Sequence, residues 1–261
     1  METSTRGLLQ GTVALVTGGG TGIGRGIALN FARAGAAVAV TGRRKEPLDA
    51  VVAEIIAGGG KAGALQGDVS KQEDCHNMVF ECIMRFGGLH ILVNNAGIAR
   101  FGALDQTSDE DIAAMLQINL LGVMLMTKYA VPDLIKFNRA RNACILNIGT
   151  SAALRPVKNF SVYSATKAAL MSFTQCMALE LGEHRVRVNC INPGVVETPI
   201  FSTMMPSAML GAAMAKFAAQ TPLGRVGQPS DIADAAQFLC GPQAAWITGA
   251  ILSVDGGISL S

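Results

Sequence analysis

The sequence alternates short apolar runs with longer segments of helical periodicity, and this alternation constrains the fold more than any other feature. The apolar runs occupy residues 13–17, 37–41, 61–66, 90–93, 143–148, 187–191 and 250–254. Runs of this length suit the strands of a parallel sheet that is buried on both faces. Strands that alternate with helices indicate repeated βαβ units and an α/β fold. We predict a single domain over residues 1–261, because no linker, repeat or low-complexity tract divides the chain.

The composition indicates a large core and narrows the classes of partner. Half of the 261 residues are hydrophobic and 15% are charged, and the mean hydropathy is +0.37. This apolar content exceeds what one monomer core needs, so we expect an apolar substrate pocket, an oligomer interface or both. The net charge of +2 and the lack of a basic stripe with interleaved aromatic residues argue against nucleic acid and a membrane surface as partners.

The cysteines and the N-terminal residues favour a cytoplasmic location. The six cysteines form no close pair and the three histidines do not cluster with them, so we expect neither a metal site nor a disulfide framework. Residues 1–6 lack the apolar core of a signal peptide. The most apolar region, residues 112–135, is interrupted by polar residues, which predicts a buried helix and not a membrane span.

A glycine-rich turn separates the first strand from the first helix. Five glycines follow within seven residues, and residues 25–32 then continue with helical periodicity. Glycine permits close approach of the backbone, and a helix N-terminus offers free N–H groups to a pyrophosphate. The spacing is Gly18-x-x-x-Gly22-x-Gly24 and not G-x-G-x-x-G. We predict a dinucleotide-binding loop, with a plain glycine hinge as the alternative, at Gly18, Thr21, Gly22, Ile23 and Gly24.

The residues after the second strand favour NADP(H) over NAD(H), although NAD(H) remains possible. A dinucleotide fold that prefers NAD places an acid about twenty residues past the glycine loop, where it binds the ribose 2′-hydroxyl. Here Gly42 occupies that place, and Arg43 and Arg44 follow. A guanidinium suits a 2′-phosphate because it donates paired, charge-assisted hydrogen bonds. The alternative is a solvated basic turn.

Polar and small residues follow the third and fourth strands. Asp68, before Val69, could accept a hydrogen bond from an adenine amino group or could be a turn residue. Asn95 can bond backbone groups of neighbouring strands, while Ala96 and Gly97 leave room for a flat ligand. A helix predicted from about residue 108 to 137 carries Asn119 among apolar neighbours. A buried amide there needs partners, either as one satisfied core side chain or within a local distortion that directs polar groups into the site.

Tyr163 and Lys167 form the candidate catalytic pair. They are four residues apart in a predicted helix, which places both side chains on one face. An ammonium beside a phenol favours the phenolate and lowers the pKa of the phenol toward the range that acid–base catalysis needs. The hydroxyl groups of Thr150 and Ser151 follow the fifth strand and can reach Tyr163. A chance Tyr and Lys on an exposed helix is the alternative interpretation.

Residues from about 198 to 222 are predicted to form a lid. The segment is apolar, rich in methionine and bounded by Pro199 and Pro222. Methionine adapts its shape to variable apolar surfaces. A plain core helix is the alternative.

Together, the glycine loop, the Asn94–Gly97 run, Asn119, the paired hydroxyls, Tyr163-x-x-x-Lys167 and Pro193-Gly194 resemble the classical short-chain dehydrogenase/reductase family over residues 11–257. The likeness extends to its 3-oxoacyl-carrier-protein reductases and carbonyl reductases. It implies a Rossmann-like, doubly wound sheet of seven parallel strands in the order 3-2-1-4-5-6-7, with helices on both faces. It also implies a homotetramer or homodimer.

The resemblance assigns roles to individual residues. Tyr163 would be the acid/base, Lys167 would hold the nicotinamide ribose and lower the pKa of the phenol, and Asn119 would anchor a water that serves Lys167. Pro193, Gly194, Val196 and Thr198 would meet the nicotinamide. Family members usually have a serine 13 residues before the tyrosine, where this chain has Thr150, so the spacing favours Thr150 and the residue type favours Ser151.

The resemblance implies an NADP(H)-dependent oxidoreductase that acts on an apolar ketone or secondary alcohol, with a 3-oxoacyl thioester as the favoured example. Basic residues at 139, 141, 184 and 185 could receive an acidic carrier protein or could be solvated surface charge. The competing functions are a dehydrogenase of a steroid, sugar or small diol, and a nucleotide-binding regulator that has lost catalysis.

Overall fold

The computed structural model describes residues 7–138, 143–203 and 207–261. Its strands form one parallel sheet in the order β3-β2-β1-β4-β5-β6-β7, which confirms the predicted α/β architecture and strand order. The order reverses direction between β1 and β4, which is where open α/β sheets bind ligands. The strands are β1 Val13–Thr17, β2 Ala37–Gly42, β3 Lys61–Gln66, β4 Ile91–Asn94, β5 Cys144–Ile148, β6 Arg187–Pro193 and β7 Ile251–Val254.

Eight α-helices connect and cover the strands among the described residues. Their bounds are α1 Gly22–Arg33, α2 Lys45–Ala57, α3 Gln72–Phe86, α4 Asp109–Leu116, α5 Gly122–Phe137, α6 Ser161–Gly182, α7 Ser207–Gln220 and α8 Pro229–Cys240. A π-helical turn, Gln117–Leu121, joins α4 to α5.

The sheet is covered on both faces because its strands are apolar on both faces. Alternate residues of β1 belong to different core clusters: Ala14 and Val16 pack with α1, α2 and α8, whereas Val13 and Leu15 pack with α3, α5 and α6. Side chains alternate between the faces of a strand, so a continuous apolar run supplies both layers. The doubly wound arrangement follows from this pattern.

The long apolar helix region spans Asp109–Phe137 and passes through the π turn. It is long and apolar enough to cross a membrane by those two criteria, but one such helix is weak evidence for a membrane protein. Only one third of the most apolar 18-residue window in this helix region is buried. The prediction of a buried helix is therefore right for one side of the region only. Leu121 and Met124 lie on its exposed side.

Candidate active site

A large cavity of about 1620 Å³ opens at the carboxyl edge of the sheet. Residues that follow each of the strands β1 to β6 line it, among them Gly18, Gly67, Asn95 and Gly149. Pockets for drug-sized ligands have about 300–1,000 Å³. The cavity therefore has room for a dinucleotide together with a second molecule.

The glycine loop lines this cavity, and two side chains hold the backbone of the loop in place. Asn95 donates from Nδ2 to the carbonyl oxygens of Thr17 and Gly18, at 2.9 and 3.2 Å. Thr17 Oγ1 accepts the backbone N–H groups of Asn95 and Ala96, each at 3.0 Å. Gly18 and Gly22 have φ values of +63° and +53°, which side chains disfavour. The backbone of the loop is thus held in place, and no side chain at Gly18 or Gly22 separates it from the cavity.

Gly24 differs from the other glycines predicted to bind a cofactor. It does not line the cavity, and a Cβ at this position would lie 2.3 Å from the carbonyl oxygen of Gly18. Its function is close packing of α1 against the loop. The assignment of Gly24 as a cofactor contact stays a prediction, whereas Gly18, Thr21, Gly22 and Ile23 all face the cavity.

Two arginines lie at the end of the cavity that is formed by β2 and β3. Arg43 and Arg44 line it, are exposed, and make no ion pair with a carboxylate in the described part of the chain. Asp68 and Val69 line the same end. One carboxylate oxygen of Asp68 accepts the N–H and the hydroxyl of Ser70, at 3.0 and 2.8 Å. Asp68 thus stabilises a turn with one carboxylate oxygen, and its other oxygen is available to accept a hydrogen bond from a ligand.

Thr150 and Tyr163 form the centre of the candidate site. The Thr150 hydroxyl lies close enough to the Tyr163 phenol to oppose the rise that burial causes in the pKa of the phenol. It also accepts the N–H of Ala152 at 3.3 Å. Ser151 lines the cavity as the first residue of a 3₁₀ turn. Thr150 is thus the hydroxyl that acts on the phenol in the chain by itself, and its catalytic role in place of Ser151 stays a prediction.

Asn192 positions Thr150 from the neighbouring strand. Its Oδ1 accepts the Thr150 N–H at 3.2 Å, and the side chain is fully buried. A Cβ on Gly149 would lie 2.0 Å from the same oxygen. Glycine is thus required before Thr150, because any side chain there would displace the amide that fixes the hydroxyl.

Lys167 is buried one helical turn from Tyr163. Its Nζ donates to the Ile148 carbonyl oxygen at 2.7 Å, and the residue is 4% exposed. Burial lowers the pKa of its ammonium to about 8, an effect that the nearby Cys190 opposes. The ammonium is therefore fixed at the end of β5 and lines the cavity.

The pKa of Tyr163 moves in the opposite direction from the expectation. Burial raises the pKa of the phenol, and the nearby Thr150 hydroxyl opposes that rise. The Lys167 ammonium is directed to the Ile148 carbonyl in the chain by itself. The protonated phenol is thus the form that this environment favours.

Asn119 lies within the π turn and does not line the cavity. Its amide exchanges two 2.9 Å hydrogen bonds with the backbone N–H and C=O of Ile98 and donates to Thr166 Oγ1 at 3.2 Å. The helix is locally distorted here and the buried amide is satisfied, whereas the direction of polar groups into the site by this distortion stays a prediction. These bonds hold the segment Gly97–Ile98 beside Lys167, because a Cβ on Gly97 would lie 3.5 Å from Nζ.

The segment after β6 closes the cavity on a further side. Pro193, Gly194, Val196 and Thr198 all line it. Thr198 lies against the glycine loop, with its Cγ2 3.1 Å from where a Cβ on Gly22 would be. Within the predicted lid, α7 contributes Met209 and Phe217 to the lining, while residues 204–206 lie outside the described residues.

The two described residues among the basic residues predicted near the rim do not line the cavity. His184 and Arg185 precede β6 and so lie at the amino edge of the sheet, opposite the site. Residues 139 and 141 lie outside the described residues. The basic side chains that line the outer part of the cavity are Arg100, Arg155, Lys158 and Lys216.

Sequence reasoning missed several residues that shape the site. Thr17 and Asn192 each lie at the end of a predicted strand, but short hydrogen-bonding side chains at strand ends carry no spacing signal of their own. Phe101 and Phe160 also line the cavity. Their signal is weaker still, because single aromatic residues in loops resemble ordinary surface residues.

Comparison with known proteins agrees with this geometry. A family model described as Enoyl-(Acyl carrier protein) reductase matches residues 18–259. A 2,5-dichloro-2,5-cyclohexadiene-1,4-diol dehydrogenase of Sphingobium indicum is 37% identical over 97% of this chain and 98% of its own.

Two solved structures are similar along nearly the whole chain. A 3-ketoacyl-(acyl-carrier-protein) reductase from Brucella melitensis, complexed with NADH, is 39% identical with a TM-score of 0.89, over 96% of this chain and 99% of its own. A short-chain dehydrogenase from Burkholderia cenocepacia, in complex with NADP, is 37% identical with a TM-score of 0.87, over 97% and 99%. The parallel sheet, the glycine loop and the Tyr163–Lys167 site therefore belong to a member of the short-chain dehydrogenase/reductase family.

Proposed function

We propose that this oxidoreductase transfers a hydride between a nicotinamide cofactor and a ketone or secondary alcohol of an apolar substrate. The observation that carries the proposal is that Thr150, Tyr163 and the buried Lys167 line the same cavity as the glycine loop, with the Lys167 ammonium bonded to the Ile148 carbonyl. A proton donor, a fixed hydroxyl and a cation then meet beside the place where a carbonyl oxygen would bind.

The residues fit a dinucleotide. The bare, positive-φ loop at Gly18 and Gly22 suits a pyrophosphate at the N-terminus of α1, and Asn95, Ala96 and Gly97 leave a flat strip along the cavity. Pro193, Gly194, Val196 and Thr198 would border the nicotinamide. The bound cofactor would supply or accept the hydride, and the protein would orient it.

Tyr163 would move the proton. In the reductive direction its protonated phenol donates to the developing alkoxide oxygen, while Thr150 Oγ1 donates a hydrogen bond to the same oxygen. The raised pKa of the phenol favours this protonated form. Lys167 would bind the ribose hydroxyls, and its ammonium would stabilise the tyrosinate that remains. Asn119 would act through Ile98, and a water beside it would return protons to Lys167.

NADP(H) is the cofactor that the charges favour. Arg43 and Arg44 lie where a ribose 2′-phosphate would bind and have no described ion-pair partner. Guanidinium groups bind phosphates with paired, charge-assisted hydrogen bonds. The related structures with NADH and with NADP keep NAD(H) as the alternative.

A 3-oxoacyl thioester, linked to a carrier protein or coenzyme A, is one candidate substrate, and the Brucella reductase supports it. A small cyclic diol is the second, supported by the Sphingobium dehydrogenase. Steroids and sugars are weaker candidates. The segment 198–222 would cover the bound substrate as a lid, since α7 contributes apolar side chains to the cavity.

We also propose a cytoplasmic homotetramer or homodimer. Described apolar side chains remain exposed at Leu179 (84%), Trp246 (100%) and Leu252 on the edge strand β7. Apolar groups on an open sheet edge favour association. Light scattering of the purified protein, coupled to size exclusion, would show an assembly larger than 27.1 kDa.

The function is tested by oxidation of NADPH and NADH, in parallel, with a panel of carbonyl compounds. We expect turnover of at least one apolar ketone, with NADPH preferred. Tight binding of the cofactor without turnover of any carbonyl compound would support the regulator instead. Turnover of a polar sugar alone would contradict the apolar assignment.

A further inference from the structure

Three aromatic rings form a continuous row that ends at the candidate acid. The ring centroids of Tyr163 and Phe160 are 5.5 Å apart with an interplanar angle of 79°, and those of Phe160 and Phe101 are 5.3 Å apart at 61°. Both contacts are edge-to-face, the geometry that aromatic pairs prefer. Phe160 directly precedes α6, and Phe101 lies in the loop after β4. The row therefore leads from the Tyr163 phenol out of the site along the cavity.

The outer part of this row is unusually open to solvent. Phe101 is 56% exposed, and Val157, which also lines the cavity, is 48% exposed. The half of a phenylalanine side chain that stays in water contributes nothing to the hydrophobic stabilisation of the core. Apolar groups gathered at the mouth of a concave site indicate a surface that a ligand covers.

A second aromatic pair lines the same cavity from different segments. Phe201, in the 3₁₀ turn after β6, and Phe217 on α7 have ring centroids 6.1 Å apart. Five of the thirteen aromatic residues in the chain thus line this one cavity. A linear acyl chain gains from buried apolar area alone, whereas a ring also gains from each well-oriented aromatic contact. The lining is therefore better matched to a ring than to an alkyl chain.

We propose that the substrate is a ring-bearing carbonyl compound or alcohol in which the aromatic ring is bonded to, or fused beside, the reacting carbon. The inference rests on the proposed function and specifies its substrate. Phe160 contacts Tyr163 directly, so a ring that packs on Phe160 has its attached carbonyl within reach of the phenol. Phe101 continues the surface for a second, fused ring. Phe160 and Phe101 are thus specificity-determining residues.

The experiment compares kcat/KM for four ketones: acetophenone, 1-tetralone, cyclohexyl methyl ketone and 2-octanone, together with acetoacetyl-coenzyme A. Each is assayed with the wild-type protein and with Phe160→Leu, Phe101→Leu and the control Phe238→Leu. Phe238 is 45% exposed on α8 and does not line the cavity. Leucine keeps the apolar character and removes the ring.

We expect acetophenone and 1-tetralone to exceed cyclohexyl methyl ketone and 2-octanone by tenfold or more. Phe160→Leu should lower kcat/KM for both aryl ketones about tenfold, and Phe101→Leu should act mainly on 1-tetralone. Each loss should be at least threefold larger than the loss that the same variant shows on 2-octanone. Phe238→Leu should change nothing. Preference for 2-octanone or the thioester, or equal losses on aryl and alkyl ketones, would overturn the ring assignment while the oxidoreductase function stood. No turnover on any compound would overturn both.

Discussion

At the scale of single residues, Thr150 and Ser151 show how a hydroxyl is selected by its surroundings. Their side chains carry the same donor and acceptor, but Thr150 is the one that lies close enough to the Tyr163 phenol to affect its pKa. Asn192 holds its backbone N–H, and Gly149 leaves the space that Asn192 occupies. Spacing along the chain could identify both hydroxyls as candidates for the site. The choice between them depends on a contact from another strand, which no local pattern reports.

Thr150→Ala should therefore slow ketone turnover by about 10²-fold, because a fixed donor to the developing oxyanion contributes roughly that factor. Thr150→Ser should keep most of the activity, since the hydroxyl is restored. Steady-state kinetics on a ketone that the wild type reduces is the measurement. Ser151→Ala is the matched control and should stay within threefold; the reverse ranking would assign the role to Ser151.

Lys167 should give the folded protein a pH-dependent stability. Its pKa falls from an ordinary value of 10.5 to about 8 on burial, so between these values the unfolded chain binds more protons than the folded one. The free energy of unfolding from this group then rises with pH. The wild type should gain about 2 kcal/mol relative to Lys167→Met between pH 7.5 and 9.5.

Urea denaturation of both proteins across that range measures the difference. Tyr163 and the buried cysteines titrate in both chains, so most of their effect cancels in the comparison. A difference in unfolding free energy that stays constant with pH would show that Lys167 keeps an ordinary pKa in the folded state.

At the scale of elements, the π turn Gln117–Leu121 is the part of the fold with the clearest link to the site. Helical periodicity predicts one helix from about 108 to 137, and Asn119 among apolar residues marks where it departs from regularity. The sequence could predict that this amide needs partners. It could not name Ile98, because that contact joins segments 21 residues apart.

Asn119→Leu should destabilise the fold, because it leaves the Ile98 N–H and C=O without their partners in a buried place. Each unsatisfied buried group costs about 1–3 kcal/mol, so we expect a loss of roughly 3 kcal/mol in the free energy of unfolding. Gln117→Leu, an exposed position in the same turn whose side chain bonds the Ser70 carbonyl, should cost under about 1 kcal/mol. Equal losses in the two variants would remove the special role of Asn119.

At the scale of the whole molecule, the parallel sheet brings the ends of distant strands to one cavity. The strand pattern and the motif order predict this arrangement, since parallel strands end at the same edge. That edge collects the glycine loop, Arg43, Tyr163 and Thr198 from across the chain. Loop residues such as Phe101 complete the substrate end of the cavity. They could not be predicted from the sequence, because their positions depend on how the loops fold over the sheet.

The charge distribution across the cavity makes the cofactor preference testable. The double variant Arg43→Ala/Arg44→Ala should raise the Kd for NADPH at least tenfold, because hydrogen bonds between charged groups contribute about 1.5–3 kcal/mol each. The Kd for NADH should change less than threefold. Lys45→Ala, whose ammonium pairs with Asp49, is the control in calorimetric titrations. Equal weakening of both cofactors would mean that neither arginine binds the 2′-phosphate.

The most direct test of the account is the Tyr163→Phe variant, assayed for ketone reduction and for cofactor binding in one preparation. Removing the phenol oxygen deletes the proton donor and leaves the ring contact with Phe160 in place. We predict that ketone turnover slows by about 10²-fold or more, while the affinity for NADPH stays within threefold of the wild type. A variant that reduces the ketone within tenfold of the wild-type rate would contradict proton transfer by Tyr163.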